Sequence, residues 1–297
     1  MPSGLFSLVL EKRRLMSGSC STKRVYHLVF RSEQPICYRP GDHFIIRPPN
    51  PNFLVKKHLE YADKMVSHDF ESIKWGQFDL SQPSPKGGFK RMKKRYYSIA
   101  STPRKDPSIL ELIVRHLGAL PDEQFGTASY YLCEEMQLGE TVSVEIQNSV
   151  FHDLHAYDNS VIFFTAGVGI ASFIGWIFER SMDERASWLF FGDRDEREDF
   201  LHREILCQLS QRSCFQFSTA FSRYSCDNAI RRLGNLITEH GDSIWDWINK
   251  GALVLMAGSI PMGKSIISSL QILSEKQGNP SWMSEATDSG QFRHELY

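Results

Sequence analysis

Arg95-Tyr96-Tyr97-Ser98 places three chemistries in four consecutive positions. On an extended strand alternate side chains share a face, so Arg95 and Tyr97 point to one side and Ser98 to the other. A guanidinium suits a diphosphate in bidentate fashion, a phenol ring can lie against a flat heterocycle, and a hydroxyl can reach a polar ring atom. An Arg-Tyr strand is equally an ordinary edge strand, so the tetrad needs company. Gly126-Thr127-Ala128-Ser129 opens a helix with glycine and small residues, a seat for a pyrophosphate or a plain N-cap. Gly167 and Gly169 join an apolar run to a helical pattern, but Ser172 stands where G-x-G-x-x-G requires its third glycine.

A competing motif lies near the end. Gly258 to Ser265 reads G-x-x-x-x-G-K-S, the phosphate-cradling P-loop pattern, after the strand-like run GALVLM. A P-loop nucleoside triphosphatase also needs a later strand that brings an acid to magnesium. Only 32 residues follow Ser265, and the loop follows what counts as the last parallel strand. The plainer reading is a glycine turn that opens a helix at the rim of a nucleotide-binding sheet.

The elements that must hold these residues change character halfway along the chain. Segments 24–30, 43–48, 96–101, 109–117 and 141–146 read as short strands separated by turn signals, which predicts an antiparallel barrel or sandwich. One short helix is expected around residues 50–65, and residues 81–94 read as a polar loop. From SVIFF onward, strands alternate with helical patterns: ASWLFFG, CFQFSTAF and GALVLMAG are strands, and IASFIGWIFERSM, REDFLHREILCQLSQ, 228–250 and GKSIISSLQILSEKQG are helical. That order implies βαβ units on a parallel sheet. QFRHELY reads as an edge strand returning to it. The boundary falls within 151–160.

Bulk composition narrows the function classes. The 297 residues suffice for two domains, and 34 basic against 35 acidic residues argue against a dedicated nucleic-acid binder. No stretch is apolar enough for a membrane span, and the first residues carry their charges after a short apolar run, the reverse of a secretory signal. Six scattered cysteines without a C-x-x-C pair, and scattered histidines, imply reduced thiols in a cytoplasmic protein without a metal site.

The order of the pieces carries a resemblance. R-x-Y-S, the Gly-Thr-Ala-Ser turn, the 167–169 glycine turn, FGDRDEREDF and AFSR follow one another as in the ferredoxin–NADP⁺ reductase module of the diflavin reductases. YRPGDHFIIRPPN and GQFRHELY are similar to its early and final landmarks. Ala257 replaces the usual cysteine, as in the NADPH-dependent diflavin oxidoreductase branch of cytosolic iron–sulfur assembly.

The resemblance implies an α/β plus all-β chain. An antiparallel FAD-binding β-barrel would occupy 1–155, with a shortened connecting segment at about 50–94, and a doubly wound parallel-sheet NADP-binding domain 156–297. Arg95, Tyr96, Tyr97 and Ser98 would hold FAD, and Gly126, Thr127, Ala128 and Ser129 would seat its pyrophosphate. Gly167, Val168, Gly169 and Arg194 would meet NADPH, and Ser222 with Arg223 its 2′-phosphate. Ser98 and Glu295 would be the catalytic pair, and Tyr297 the aromatic shield of the flavin. By the resemblance the family's FMN domain would be missing, and electrons would leave to an FMN-containing or iron–sulfur acceptor protein in trans. Val168 replaces a threonine, Ser172 a proline, and YSCDNAIRR lacks the family's Lys-x-Tyr pair. These departures favour a second reading, a degenerate reductase fold kept as a binding or scaffold protein.

Overall fold

The computed structural model describes residues 5–62, 69–85, 87–118, 125–227 and 229–297. The strands run β1 (Leu5–Leu15), β2 (Arg24–Ser32), β3 (His43–Ile46), β4 (Phe78–Pro83), β5 (Phe89–Arg91), β6 (Arg95–Ser98), β7 (Ile109–His116), β8 (Thr141–Gln147), β9 (Val161–Ala166), β10 (Ser187–Asp195), β11 (Phe215–Tyr224), β12 (Leu253–Gly258) and β13 (Phe292–Leu296). The α-helices are α1 (Asn52–Ala62), α2 (Phe70–Lys74), α3 (Thr127–Tyr130), α4 (Ile174–Met182), α5 (Glu196–Asp199), α6 (Arg203–Leu209), α7 (Leu233–Glu239), α8 (Gly241–Asn249), α9 (Ile260–Lys276) and α10 (Trp282–Asp288).

Six strands of the first half form an antiparallel sheet in the order β6-β3-β8-β1-β2-β7. A bridge between Ile99 and Leu112 joins its two edges, so the sheet closes into a barrel. Alternation explains its interior: Leu8, Leu10, Leu28, Phe30, Phe44, Ile46, Leu110, Leu112, Val142 and Val144 pack together inside. The second half is a parallel sheet in the order β11-β10-β9-β12-β13. Its central strands β10, β9 and β12 contain continuous apolar runs because both faces are covered there, whereas the edge strands β11 and β13 are mixed. Phe163, Leu189, Phe191 and Leu255 pack under α4, while Phe164, Trp188, Phe190 and Met256 pack under α7, α8 and α9. The α4-side core also takes in Val25, Ala100 and Ile113 from the barrel half, so one apolar cluster joins the two sheets.

Several expectations change. β1 carries four Lys, Arg or Glu residues in eleven positions, and its charge hid a strand that is buried at Leu8 and Leu10. Residues 81–94 are not simply a loop: β4 and β5 pair across Gly87 and Gly88, whose positive φ values permit the turn (Lys86 lies outside the described residues). The helix expected over REDFLHREILCQLSQ is two short helices, α5 and α6, broken at His202 with φ +57. The 228–250 stretch becomes helical from Leu233, and Asn228 lies outside the described residues. β12 is not the last parallel strand, because β13 lies parallel beside it at the sheet edge.

The P-loop geometry is absent. Residues 260–263, which would have to loop around a phosphate, already belong to α9, and Ser259 caps that helix through Met262 N at 3.4 Å. The glycine pattern therefore marks a capped helix start.

Candidate functional site

A large cleft, about 1030 Å³, opens between the barrel and the C-terminal ends of the parallel strands. β6 forms its barrel wall: Arg95, Tyr96, Tyr97 and Ser98 all line it. Tyr96 is the ring left free, 56% exposed, with its edge to His43 at 5.9 Å between centroids. Tyr97 packs partly against the barrel core, and burial pushes its phenol pKa up. All four residues of the strand line the one cleft, so the expected division into two faces does not set Ser98 apart from Arg95 and Tyr97. Arg95 donates to the carbonyls of Lys93 and Lys94 at 3.2 and 3.3 Å, which leaves further donors of its five free.

The facing wall is assembled from distant strands. Gly167 and Val168 after β9, Arg194 in β10, Ser222 and Arg223 in β11, and Glu295 and Tyr297 at β13 line the same cleft. Gly167 needs its glycine for a φ of +56. Gly169 does not reach the cleft: a Cβ there would meet the Ala257 carbonyl and Thr165 Oγ1, each at 2.6 Å. Its place is to let the turn press onto β12.

Gly126 to Ser129 stand apart from the rest. They do not line the cleft but sit behind Leu117, which does. Ser129 Oγ is occupied, accepting from Leu117 N and donating to Gly126 O, both at 3.0 Å, and Thr127 Oγ1 meets Ser81 Oγ at 3.0 Å. The backbone N–H groups of Thr127, Ala128 and Ser129 lie in the first turn, where a helix supplies no acceptor, and Gly126 offers no side-chain cap. The turn thus keeps anion-facing donors, but one layer back from the cleft surface.

Three polar contacts were not foreseen. Lys23 and Asp193 form an ion pair in the cleft, with side chains 6% and 3% exposed. Burial raises the Asp193 pKa and Lys23 opposes that rise; Asp193 Oδ2 is sealed from solvent without a partner among the described residues. His43 Nε2 donates to Glu295 Oε1, while Glu295 Oε2 is similarly sealed and unpartnered. Thr22 Oγ1 accepts from Arg194 at 2.8 Å and from Arg223 at 3.2 Å, so a barrel-half hydroxyl holds two guanidiniums together. A lysine directly before a strand and a histidine just after RPGD were the available signals, but neither names its partner. Finally, Ser172 donates to Ser98 Oγ at 3.0 Å, tying the glycine turn to β6.

Arg231 and Arg232 also line the cleft beside Arg223. Arg231 is engaged by Asp227 at 3.3 Å and Glu239 at 3.5 Å. Arg232 has no ion pair among the described residues, which makes it the freer of the two cations.

Comparison with known proteins bears on this cleft. The chain is homologous to sulfite reductase [NADPH] flavoprotein alpha-components. It is 32% identical over 232 residues to that of Vibrio vulnificus, a match covering 76% of this chain and 37% of the relative. The Photobacterium profundum protein is 29% identical over 221 residues, covering 70% and 36%. The Bacillus subtilis protein is 28% identical over 235 residues, covering 76% and 38%. The chain therefore spans less than two fifths of the length of these relatives. No family model matches it. Among the described residues no helix is long and apolar enough to cross a membrane.

Proposed function

We propose that this chain is an NADPH-dependent flavin oxidoreductase module, with residues 1–155 carrying FAD and residues 156–297 carrying NADPH. The observation that carries the reading is one cleft in which Arg95–Ser98 face Gly167, Arg194, Ser222, Arg223 and Glu295, in a chain homologous to NADPH-linked flavoproteins.

The residues present fit the two groups. Free donors of Arg95, and the uncapped first turn of α3 behind Leu117, suit the FAD diphosphate. Arg194 and Arg223, already gathered by Thr22, suit the phosphates of a dinucleotide, with Arg232 as the second cation at the 2′-phosphate. The bound cofactors supply the redox chemistry, hydride transfer from NADPH C4 to flavin N5.

The protein's own part is positional. Ser98 accepts from Ser172, which orients its hydroxyl and leaves its own hydrogen to donate into the cleft. Glu295 is held by His43 through one oxygen and offers the other, buried and unspent, as an acceptor or proton holder. Tyr297 follows β13 at the cleft with its backbone tied to Gly258 O at 3.1 Å, where its ring is placed to cover a flat ligand. Val168 offers only an apolar surface where a hydroxyl contact is absent, which weakens nicotinamide binding without touching the flavin side.

The electron acceptor is an FMN-containing or iron–sulfur protein supplied in trans, and a role in cytosolic iron–sulfur assembly accords with Ala257. Absorbance of the purified, FAD-reconstituted chain tests the reading. A flavin spectrum that bleaches on adding NADPH is expected. A chain that stays colourless overturns it, and a bound flavin that NADPH never bleaches favours the scaffold reading to which Val168 points.

A further inference from the structure

We propose a second ligand site, for one tetrahedral oxyanion such as phosphate or sulfate, in the cavity between the two halves along α4. That cavity holds about 110 Å³ and is separate from the large cleft. At about 30 Å³ per water it has room for three or four waters, enough for one oxyanion and too little for a nucleotide. Trp176, Glu179 and Arg180 face it at i, i+3 and i+4 on one flank of α4, and the helix's C-cap residue Asp183 continues that flank. Arg39 and Arg104 close it from the barrel half.

Three of these residues have donors left over. The Trp176 indole N–H is buried and has no acceptor among the described residues. The Arg39 guanidinium makes no hydrogen bond or ion pair among the described residues, since only its backbone N–H is used, by Asp42. Arg180, 2% exposed, spends four of its five N–H groups on Ser187 Oγ and the carbonyls of Tyr157, Asn159 and Ala186, so one on Nη1 remains.

All four Arg180 acceptors are neutral, so its buried charge has no carboxylate in contact. Burial and the neighbouring Arg185 push its pKa down to about 10, against the weaker opposing pull of Asp158 and Asp183, neither of which it contacts. Two neighbours are neutral pairs, Arg104 with Asp183 at 2.8 Å and Arg185 with Asp158 at 3.0 Å. What remains is Arg39 and Arg180 against Glu179, which Thr102 engages, an excess of one positive charge. A buried charge is costly unless paired, and an oxyanion would take the three spare donors and the excess charge together. It would also tie the Arg39 turn to α4, holding the rear of the two halves together.

Thermal unfolding of the full chain with added salts tests this. The Arg194→Ala/Arg223→Ala variant serves as background, because the large cleft could itself bind phosphate. In that background, sodium phosphate and sodium sulfate should each raise Tm by roughly 2–8 °C over sodium chloride of equal ionic strength. Arg39→Gln, at a part-exposed position, and Trp176→Phe, which keeps the packing and removes the N–H, should each weaken the phosphate effect about tenfold in concentration. No phosphate effect beyond chloride, or an equal effect in both variants, overturns the site.

Discussion

The two walls of the cleft are built to opposite rules. On the barrel wall polar groups are already tied: Ser98 to Ser172, His43 to Glu295, and Arg95 in part to its own strand's carbonyls. Four consecutive residues of one short strand supply the middle of that surface, with Lys23, His43, Ile113 and Leu117 around them. The opposite wall gathers turns and strand ends from Gly167 to Tyr297 and leaves more unspent, notably Asp193 Oδ2 and the Arg232 guanidinium. A surface tied in advance loses little freedom when it holds a rigid ring, and so suits a resident cofactor. A surface with spare donors and acceptors gains its partners only while occupied, and so suits a substrate that arrives and leaves.

The most severe way to break the comparison is to unpair the floor of the loose wall. Lys23→Met leaves the Asp193 carboxylate buried alone and should cost about 3–5 kcal/mol in urea unfolding. Without its lysine, Asp193 has a folded pKa raised further above its unfolded value. A raised acid favours folding below that value and disfavours it above, so the Lys23→Met deficit should shrink as the pH falls toward the acid range. A deficit independent of pH would mean that Asp193 is not the group left behind.

Next in size is a crossed pair. Arg95→Ala should weaken FAD roughly 10- to 150-fold and leave the NADPH-over-NADH preference in reconstituted protein unchanged. Arg223→Ala should do the reverse, which titration of each cofactor would reveal. If both variants lose both cofactors, the walls do not divide the labour. Gly169→Ala drives a Cβ into the Ala257 carbonyl and should cost about 1–3 kcal/mol, read as a lower urea midpoint. The smallest effect belongs to Tyr297→Ser. Its stacking contributes about 0.5–1.5 kcal/mol, so NADH affinity should rise a few-fold in stopped-flow flavin reduction, and an unchanged affinity would leave the ring a packing role.

The same contrast governs what the sequence reveals. Parallel strands such as VIFF and WLFF are legible because burial on both faces demands uninterrupted apolar runs. β1 was hidden because one face of a barrel strand meets water, and LEKRRL shows mostly that face. R-x-Y-S could be read as a site because one strand carries it whole. Lys23 with Asp193, and His43 with Glu295, could not, because their partners lie 170 and 252 positions apart and only the fold brings them together. The Gly126 turn was legible as a helix start, yet its depth behind Leu117 depends on how β7 packs against α3, which no local pattern states.

The position of β1 between β2 and β8 has a kinetic consequence. Leu5 lies opposite Glu145, so that pairing closes a loop of 140 positions, whereas the neighbouring β1–β2 hairpin closes locally. The β1–β8 pairing is therefore the slow, entropy-limited event in folding this half, on the millisecond-to-second scale of non-local β topologies. Until the eighth strand arrives, β1 presents an unpaired edge with Leu8 and Leu10 uncovered, the kind of surface through which nascent chains associate with one another. Dilute refolding, or a chaperone that shields that edge, favours the barrel over the aggregate.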